Sequence, residues 1–393
     1  MIDHSILPPS SAHIWSKCTG WVQMSALYPE LQESDAAREG TAAHEIAQMM
    51  LDNFTRGGIL VAPDDGAEAT NGVIFTDEMI DAAAMYAKDV RGVMVSSGVF
   101  GGPFLGIEKR LEMPRISDLM FGTSDAFLFD HKNATLYVWD FKFGFDPVGP
   151  FENLQLCSYV VGILDHLMKH TPIMSTAKVT VKMRIVQPRC YSSKGPIKEW
   201  TTDLMHVLNL AESRLKEPAH ISVFEPDKAR NVTGSHCKHC SARHACVAAF
   251  EAGSSLFEAA TQVMPINISG DALGTQLSII RRAMEQLKSL DTAYSEQVKS
   301  TLNSGARVRG FGMVGKMSAM KWNFGVDEVC QLGDLMGIDL SKKDVVTPRQ
   351  AIKLGIDEAV INGYASRSRS SLELVEDDNN SALKLFGAIL NEQ

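Results

Sequence analysis

The sequence predicts an α/β protein with a mixed central sheet flanked by helices, followed by a mainly helical C-terminal region. Within the chain of 393 residues, segments with helical apolar spacing lie on both sides of a β-rich block. The clearest strand signal lies at 178–187, where Val179, Val181 and Ile185 alternate with polar residues and so share one face. Beyond residue 253, apolar residues recur mostly at steps of three and four, which is typical of a long amphipathic helix.

The predicted elements of the first part begin with two helices. The first covers about 34–53 and is expected to be bent or broken near Gly40. The second covers about 77–95, with Thr76 as N-cap, because a threonine oxygen can accept hydrogen bonds from the free N–H groups of a first turn. The β-rich and helical patterns that follow predict strands at 104–111, 121–130, 135–143 and 178–187, with helices over 151–169 and 201–216.

The sequence predicts two domains, 1–252 and 253–393, and assigns no role to the second. Its main element is an amphipathic helix over 273–302, ended by Asn303, Ser304 and Gly305. A β-hairpin or glycine-rich loop is expected over 310–324. A further helix is expected to start at Pro348, with Thr347 as its cap.

Composition narrows the class of protein. The formal net charge is -9, so the charge balance lacks the basic excess that usually marks a nucleic-acid binder. That balance does not exclude an enzyme that gathers carboxylates around divalent ions. We find no signal-peptide pattern and no apolar run of membrane-spanning length. Seven cysteines in such a chain suit a reducing compartment. We therefore expect a cytoplasmic protein that has no membrane partner.

Three cysteines form a C-x2-C-x5-C pattern, which favours metal ligation over disulfides in a chain of this kind. Three thiolates leave a tetrahedral metal or a cluster one ligand short, and Cys18 is the obvious fourth. Histidines next to the pattern, among them His239, keep zinc open as an alternative to iron and sulfur. The cysteines outside this set, Cys157, Cys190 and Cys330, are expected to be unligated. The expected ligands are Cys18, Cys237, Cys240 and Cys246.

Acidic residues on two neighbouring predicted strands form a second candidate site. Asp140 and Lys142 are two residues apart, so on a strand both point to the same face. Asp125 lies on the preceding strand. Because buried charges are costly unless they are paired or bind metal, this set suits metal-assisted phosphodiester hydrolysis. The carboxylates would hold Mg²⁺, and the lysine would position water or stabilise charge on the phosphate. The alternative is a structural ion pair between Asp140 and Lys142.

Four further residues could complete this site. His44 follows a Gly-Thr turn, and a neutral imidazole is a good metal ligand. Gln155 and Tyr159 are four residues apart on an apolar helix, so they share one face. They could bind a DNA phosphate or orient the lysine, and simple packing is an equal alternative. Glu108 on the first strand is a weaker candidate, since a surface ion pair would explain it as well.

Taken in order, these residues resemble the RecB-like branch of the PD-(D/E)XK nuclease superfamily over roughly residues 5–250. The family pattern is G-x-x-x-H on a helix, G-x-x-D on one strand, D-x-K on the next strand, and Q-x-x-x-Y on a helix. Each motif is weak alone, but the ordered set is specific. In this sequence the pattern runs from Gly40 to His44, from Gly122 to Asp125, from Asp140 to Lys142, and from Gln155 to Tyr159.

Members of the branch that carry an iron–sulfur cluster are more similar still. They include AddB-type helicase–nucleases and the nuclease that serves CRISPR adaptation. They place one cysteine before the nuclease core and C-x2-C-x5-C after it, so the resemblance implies a PD-(D/E)XK core with a structural [4Fe–4S] cluster. It also implies Mg²⁺ or Mn²⁺ as a cofactor. The implied roles are metal binding by His44, Asp125 and Asp140, assistance by Lys142, strand positioning by Gln155 and Tyr159, and cluster binding by Cys18, Cys237, Cys240 and Cys246.

The resulting functional hypothesis is a metal-dependent DNA nuclease, an exonuclease that processes single- or double-stranded ends in phage DNA replication or recombination. The full-length arrangement resembles a phage- and prophage-encoded family of this superfamily. Phage single-strand-binding or recombination proteins would then be partners. No Walker A motif is present, so no fused helicase motor is expected. Two alternatives stay open: a catalytically silent nucleic-acid-binding or assembly subunit on a nuclease fold, and a zinc-binding structural protein.

Overall fold

The computed structural model describes residues 5–28, 34–170, 178–190, 195–261, 269–317, 321–322, 325–340, 347–353, 355–366 and 369–376. The chain divides into two compact units, Met1–Leu290 and Asp291–Gln393. The boundary that the sequence suggested, 252/253, lies inside the helix Val247–Ala260, and the division in the structure falls inside the long helix Gly270–Asn303.

A five-stranded mixed sheet forms the centre of the first unit. Neighbouring strands follow chain order and are antiparallel, except for the third and fourth, which are parallel. The predicted α/β class with a mixed sheet and flanking helices is therefore confirmed. The strands are β1 (Leu105–Glu112), β2 (Phe121–Asp130), β3 (Thr135–Phe141), β4 (Thr180–Val186) and β5 (Ile197–Asp203).

The fifth strand was not predicted, and its last residues were wrongly assigned to a helix over 201–216. β5 has only Ile197 and Trp200 as apolar residues, so it lacks the alternation that reveals a strand. Its conformation is set by antiparallel pairing with β4, in which Trp200 lies opposite Met183. The helix that follows begins only after this strand, with Asp203 as its N-cap.

One face of the sheet is covered by α3 (Asp35–Gly57) and α4 (Asp77–Ser97), which pack on Trp139 and Phe141 of β3. Thr76 caps α4 as predicted, since its hydroxyl accepts a hydrogen bond from the backbone N–H of Met79 at 3.3 Å. The helix was expected to be bent or broken near Gly40, and a break is wrong, because α3 is continuous through this glycine. The capping and packing of the flanking turns outweigh the weak helix propensity of one glycine.

The opposite face is covered by α5 (Leu154–His170), which packs on Leu136 and Val138 of β3. After β5 come α6 (Leu204–Ala211), a π-helical turn (Glu212–Lys216) and α7 (Glu217–Phe224), which extend the same apolar core. The short N-terminal helices α1 (Ala12–Trp15) and α2 (Trp21–Leu27) join this side of the unit. Two helices follow the cysteine segment: α8 (Val247–Ala260) and α9 (Gly270–Asn303).

In the second unit, the hairpin expected over 310–324 is wrong where that segment is described. β6 (Phe311–Met317) pairs with β9 (Arg369–Glu376), and β7 (Lys321–Trp322) pairs with β8 (Ala365–Ser366). Residues 318–320 and 323–324 of the predicted hairpin lie outside the described residues. Strand partners so distant in sequence leave no local pattern. The remaining described elements are α10 (Val326–Met336), α11 (Pro348–Lys353), whose first turn Thr347 caps as predicted, and α12 (Glu358–Tyr364).

None of the helices that the structure describes combines the length and the apolar character needed to span a bilayer.

Candidate functional site

Two carboxylates lie side by side where β2 and β3 meet. Asp140 is 1% exposed and Asp125 is 8% exposed. The backbone N–H of Phe141 donates to Oδ2 of Asp125 at 2.7 Å. Oδ1 of Asp140 lies 2.9 Å from Nζ of Lys142, while Oδ2 of Asp140 has no hydrogen-bond partner among the described residues. A buried carboxylate oxygen without a partner is costly, so this acceptor is suited to a cation.

Lys142 follows β3 directly and points to the same face of the sheet as Asp140. Its backbone N–H donates to the carbonyl oxygen of Val186 at 2.9 Å, which extends the pairing of β3 with β4. Its Nζ donates to Oε1 of Gln155 at 3.2 Å. Burial alone would lower the pKa of Lys142, but the charges of Asp140 and Asp125 outweigh burial and hold that pKa above its usual value. The lysine is therefore positively charged.

The two predicted residues on α5, Gln155 and Tyr159, make different contacts. Gln155, in the first turn of α5, contacts Lys142 directly. Tyr159, one turn later, is buried and bonds to Gln155 rather than to the lysine. Burial and the nearby carboxylates of Asp125 and Asp140 raise the pKa of Tyr159 well above its usual range, so its hydroxyl stays protonated. The orienting role considered for Gln155 thus has a geometric basis.

His44 reaches the carboxylates from α3. Its Nδ1 lies 3.4 Å from Oε1 of Glu108 and 3.8 Å from Oδ2 of Asp125. Burial lowers the pKa of His44, but the negative charges of Asp125 and Glu108 outweigh burial and raise that pKa to about 9. Without a metal, His44 is therefore an imidazolium that donates its Nδ1–H to Glu108.

Glu108 belongs to this site, although the sequence made it only a weak candidate. Ligand atoms of His44, Glu108 and Asp125 all lie within 4.8 Å of one another. The register of β1 and β2 pairs Ile107 with Ala126 and Lys109 with Ser124, which sets Glu108 opposite Asp125. No local signal could have placed Glu108 opposite Asp125, because this placement depends on the strand register.

The backbone at Glu108 is strained. Its φ is +42°, in the left-handed region that non-glycine residues rarely adopt. The alternation of side chains along β1 is reversed between Gly106 and Leu111, the stretch that contains Glu108. A Cβ on Gly106 would meet the ring of Phe127 on the α5 face, and Leu111, five residues later, packs into the same core. Strain of this kind concentrates at functional sites.

The electrostatics of the site suit a bound cation. Burial raises the pKa of Asp140 to about 6, and the nearby Lys142 offsets only part of this effect. Burial also raises the pKa of Asp125, and the charge of Glu108 adds to it while His44 opposes it. Carboxylates that raise one another's pKa favour a divalent ion, which would remove their repulsion. The donor set of one imidazole and several carboxylate oxygens fits Mg²⁺ or Mn²⁺.

The two motif glycines differ in their surroundings. A Cβ on Gly122 would lie 2.8 Å from Cγ of Pro9 and 3.4 Å from Cε1 of Tyr159, so this position has room only for glycine. A Cβ on Gly40 would meet nothing within 4 Å. Close packing therefore explains why the second motif has glycine at position 122.

The four predicted cysteine ligands line one pocket, although more than two hundred residues separate Cys18 from the other three. The backbone N–H groups of Val232 and Gly234 donate to Sγ of Cys18 and of Cys237, both at 3.4 Å. Burial raises the pKa of Cys240 to about 11, and the other three cysteines add to this effect. Four thiols supported by N–H···S contacts fit a thiolate-bound cluster or metal. The cysteines expected to be unligated, Cys157, Cys190 and Cys330, form no disulfide.

The histidines beside the cysteines make other contacts. His236 Nε2 bonds to the carbonyl oxygen of Val232 at 2.8 Å, and His244 Nδ1 bonds to the carbonyl oxygen of Ser241 at 3.1 Å. These contacts orient the rings toward the backbone of the cysteine segment. Both of these rings therefore have backbone partners in this structure.

The fold and these two sites define an α/β protein that gathers acidic residues, a histidine and a lysine on its sheet and four thiols beside it. The family model described as "Protein of unknown function (DUF2800)" matches residues 4–380. The chain therefore belongs to the DUF2800 family.

Proposed function

We propose that this protein is a Mg²⁺- or Mn²⁺-dependent deoxyribonuclease of the RecB-like branch of the PD-(D/E)XK superfamily, acting as an exonuclease in phage DNA replication or recombination. The observation that carries the proposal is that the motif residues, which are far apart in the sequence, lie close together in the fold. Contacts link residues of all four motifs: His44 of α3 lies 3.8 Å from Asp125 of β2, and Lys142, just after β3, contacts both Asp140 of β3 and Gln155 of α5. The buried carboxylate of Asp140 has an oxygen without a hydrogen-bond partner among the described residues.

The residues that would hold the divalent ion are His44, Asp125 and Asp140, with Glu108 as an additional ligand. Two observations support Glu108 as a ligand. Its carboxylate oxygen lies within 4.8 Å of the ligand atoms of His44 and Asp125, and its backbone is strained. A bound Mg²⁺ or Mn²⁺ supplies Lewis acidity for the scissile phosphate and lowers the pKa of an attacking water.

Lys142 would stabilise the charge that develops on the phosphate or position the attacking water. Its ammonium is held by Asp140 and Gln155, so it needs little reorganisation during the reaction. Tyr159 hydrogen-bonds to Gln155 and so fixes the side-chain amide whose oxygen accepts from Lys142. Gln155 and Tyr159 are therefore positioning residues in this proposal.

The four thiols would hold a [4Fe–4S] cluster with a structural role. Such a cluster would join the loop between α1 and α2, which carries Cys18, to the segment after α7, which carries the other ligands. Closing so long a loop restricts the unfolded chain, so the cluster would stabilise the first unit. The alternative is zinc bound by the same four cysteines, and metal analysis of the purified protein distinguishes it from the cluster.

A second candidate function is a nucleic-acid-binding or assembly subunit without catalysis. It is favoured by the ion pair of Asp140 with Lys142, which a purely structural role would also explain. The formal net charge of -9 favours the assembly form of this role, because it opposes strong binding of a polyanion.

The test of the proposal is a cleavage assay on protein purified without oxygen. End-labelled single- and double-stranded DNA is incubated with Mg²⁺ or Mn²⁺, and iron, sulfide and zinc are measured on the same sample. We expect iron–sulfur absorption and metal-dependent cleavage that Asp140→Asn abolishes. Asp81→Asn, an exposed control on α4, should cut like the wild type. Metal-dependent cleavage by Asp140→Asn at the wild-type rate would contradict the assignment, and a cluster-loaded but inert wild type would favour the binding subunit.

A further inference from the structure

A cleft of about 630 Å³ lies beside the candidate metal site. Its walls come from the N-terminal segment before α1, from α2, from β1 and β2, from α5, and from the cysteine segment. Residues that represent these walls are Ser10, Arg110, Phe121, Tyr159, His239 and Ser241.

The cleft leads toward the carboxylates. Gly122 and Thr123, which line it, immediately precede Ser124 and Asp125 on β2. Tyr159, which also lines it, is close enough to Asp125 and Asp140 for their charges to raise its pKa. A chain lying in the cleft would therefore end near the residues proposed to hold the metal.

Arg110 lines this cleft, and its cationic guanidinium is held in one orientation in which it can bind a ligand. Its guanidinium lies 4.0 Å from the centre of the Phe121 ring, so the ring orients it. Within the described part of the chain, no carboxylate lies within ion-pair distance of Arg110. Two other arginines that lie over aromatic rings do have acidic partners: Arg184 pairs with Asp89 and Glu199, and Arg189 pairs with Glu39 and Glu78. An oriented arginine without an acidic partner, in a chain of net charge -9, suits an anionic ligand.

We propose that Arg110 binds a backbone phosphate of single-stranded DNA in this cleft, beside the nucleotide that reaches the metal site. This inference rests on the proposed nuclease function. The cleft has the size of a small-ligand pocket, so it suits a few nucleotides of one strand rather than a duplex. Arginine gives a phosphate two parallel hydrogen bonds, and serine hydroxyls along the cleft can donate others.

The experiment measures binding separately from cleavage. A fluorescent single-stranded oligonucleotide is titrated with protein without added divalent cation, and its anisotropy is followed at several salt concentrations. Arg110→Ala should weaken binding roughly tenfold, because a charge-assisted contact is lost. The slope of log affinity against log salt should fall by about 0.7, the value for one phosphate contact on a single strand. Lys109→Ala removes the neighbouring exposed cation of β1 and should bind like the wild type.

The outcomes separate the two proposals. Equal binding by wild type, Arg110→Ala and Lys109→Ala overturns the cleft assignment, even if the wild type cuts DNA. Weaker binding by Arg110→Ala in a protein that never cuts DNA supports the cleft and rejects the nuclease. Equal competition by an unlabelled duplex overturns the preference for one strand. A melting temperature for Arg110→Ala equal to that of Lys109→Ala shows that lost binding reflects the missing contact and not unfolding.

Discussion

Oε1 of Glu108 lies 3.4 Å from Nδ1 of His44, across 64 residues of sequence. This contact joins a helix to a strand residue whose backbone is strained, with a φ of +42°. The left-handed conformation costs a non-glycine residue roughly 1–2 kcal/mol. The strain is compatible with a functional position, since it turns an acidic side chain toward a buried aspartate and a histidine.

Substitutions at Glu108 should separate stability from metal affinity. Glu108→Gly relieves the strain and should raise the free energy of unfolding by about 1 kcal/mol, while Glu108→Gln keeps the strain and the size of the side chain. Both should weaken Mn²⁺ binding, measured by titration calorimetry, by roughly tenfold or more because one anionic ligand is lost. Wild-type Mn²⁺ affinity in both variants would exclude Glu108 as a ligand.

Gln155→Ala should slow cleavage without changing the metal requirement. The substitution removes the oxygen that accepts from Nζ of Lys142 at 3.2 Å, so the lysine is held by Asp140 alone. Misplacement of one catalytic group typically costs roughly tenfold to a hundredfold in rate. Gln48→Ala, on the exposed side of α3, is the matched control. A higher Mn²⁺ requirement at an unchanged maximal rate would assign Gln155 to the metal instead of the lysine.

Each of the four clustered cysteines should be required for the cofactor. Cys18→Ser and Cys246→Ser should both lose iron and visible absorption, and both should lower the melting temperature, because the cluster joins distant segments. Cys330→Ser lies in the second unit and should retain all three properties. Retention of full iron content by Cys18→Ser would remove Cys18 from the ligand set, and zinc in place of iron in the wild type would favour the alternative metal.

The two motif glycines should respond to alanine in opposite ways. Gly122→Ala forces a Cβ to within 2.8 Å of Pro9, so we expect a loss of about 1–3 kcal/mol in the free energy of unfolding and slower cleavage. Gly40→Ala meets open space inside α3 and should add about 0.5–1 kcal/mol with unchanged cleavage. Denaturant unfolding and the cleavage assay, run on both variants, measure the contrast. Similar effects of the two substitutions would contradict it.

The turn after β2 should make stability depend on pH. Burial would raise the pKa of Asp130, but hydrogen bonds from Asn133 and from the backbone N–H of Lys132 outweigh burial and lower that pKa. A lowered pKa in the folded state gives stability that is present above the unfolded pKa of about 3.9 and lost as pH falls through the folded value.

Asp130→Asn should therefore destabilise the protein at pH 7 by roughly 2 kcal/mol, as expected for hydrogen bonds to a charged group. The difference from the wild type should shrink as pH falls below about 3.9. Asp118→Asn, an exposed control before β2, should show little change at either pH. Denaturant unfolding at a series of pH values checks this. A constant difference between wild type and Asp130→Asn down to pH 3 would show that shape, not charge, is responsible.

Much of the fold was readable from the sequence because its central elements have strong local signals. β2 coincides with the predicted segment 121–130, and α4 begins after the predicted cap Thr76. β5 and the strand pairings of the second unit were missed because weakly apolar or distant partners leave no periodic pattern.

For the site, the sequence alone determined the residue types and their order: Asp125 and Asp140 on strands, Lys142 two residues after Asp140, Gln155 on a helix, and four cysteines with a specific spacing. Only the tertiary structure decided that Glu108 stands opposite Asp125, that Gln155 rather than Tyr159 holds Lys142, and that Arg110 faces a cleft. The physical reason is that motif spacing reflects local backbone geometry, whereas these contacts depend on strand register and on the packing of α5 against the sheet.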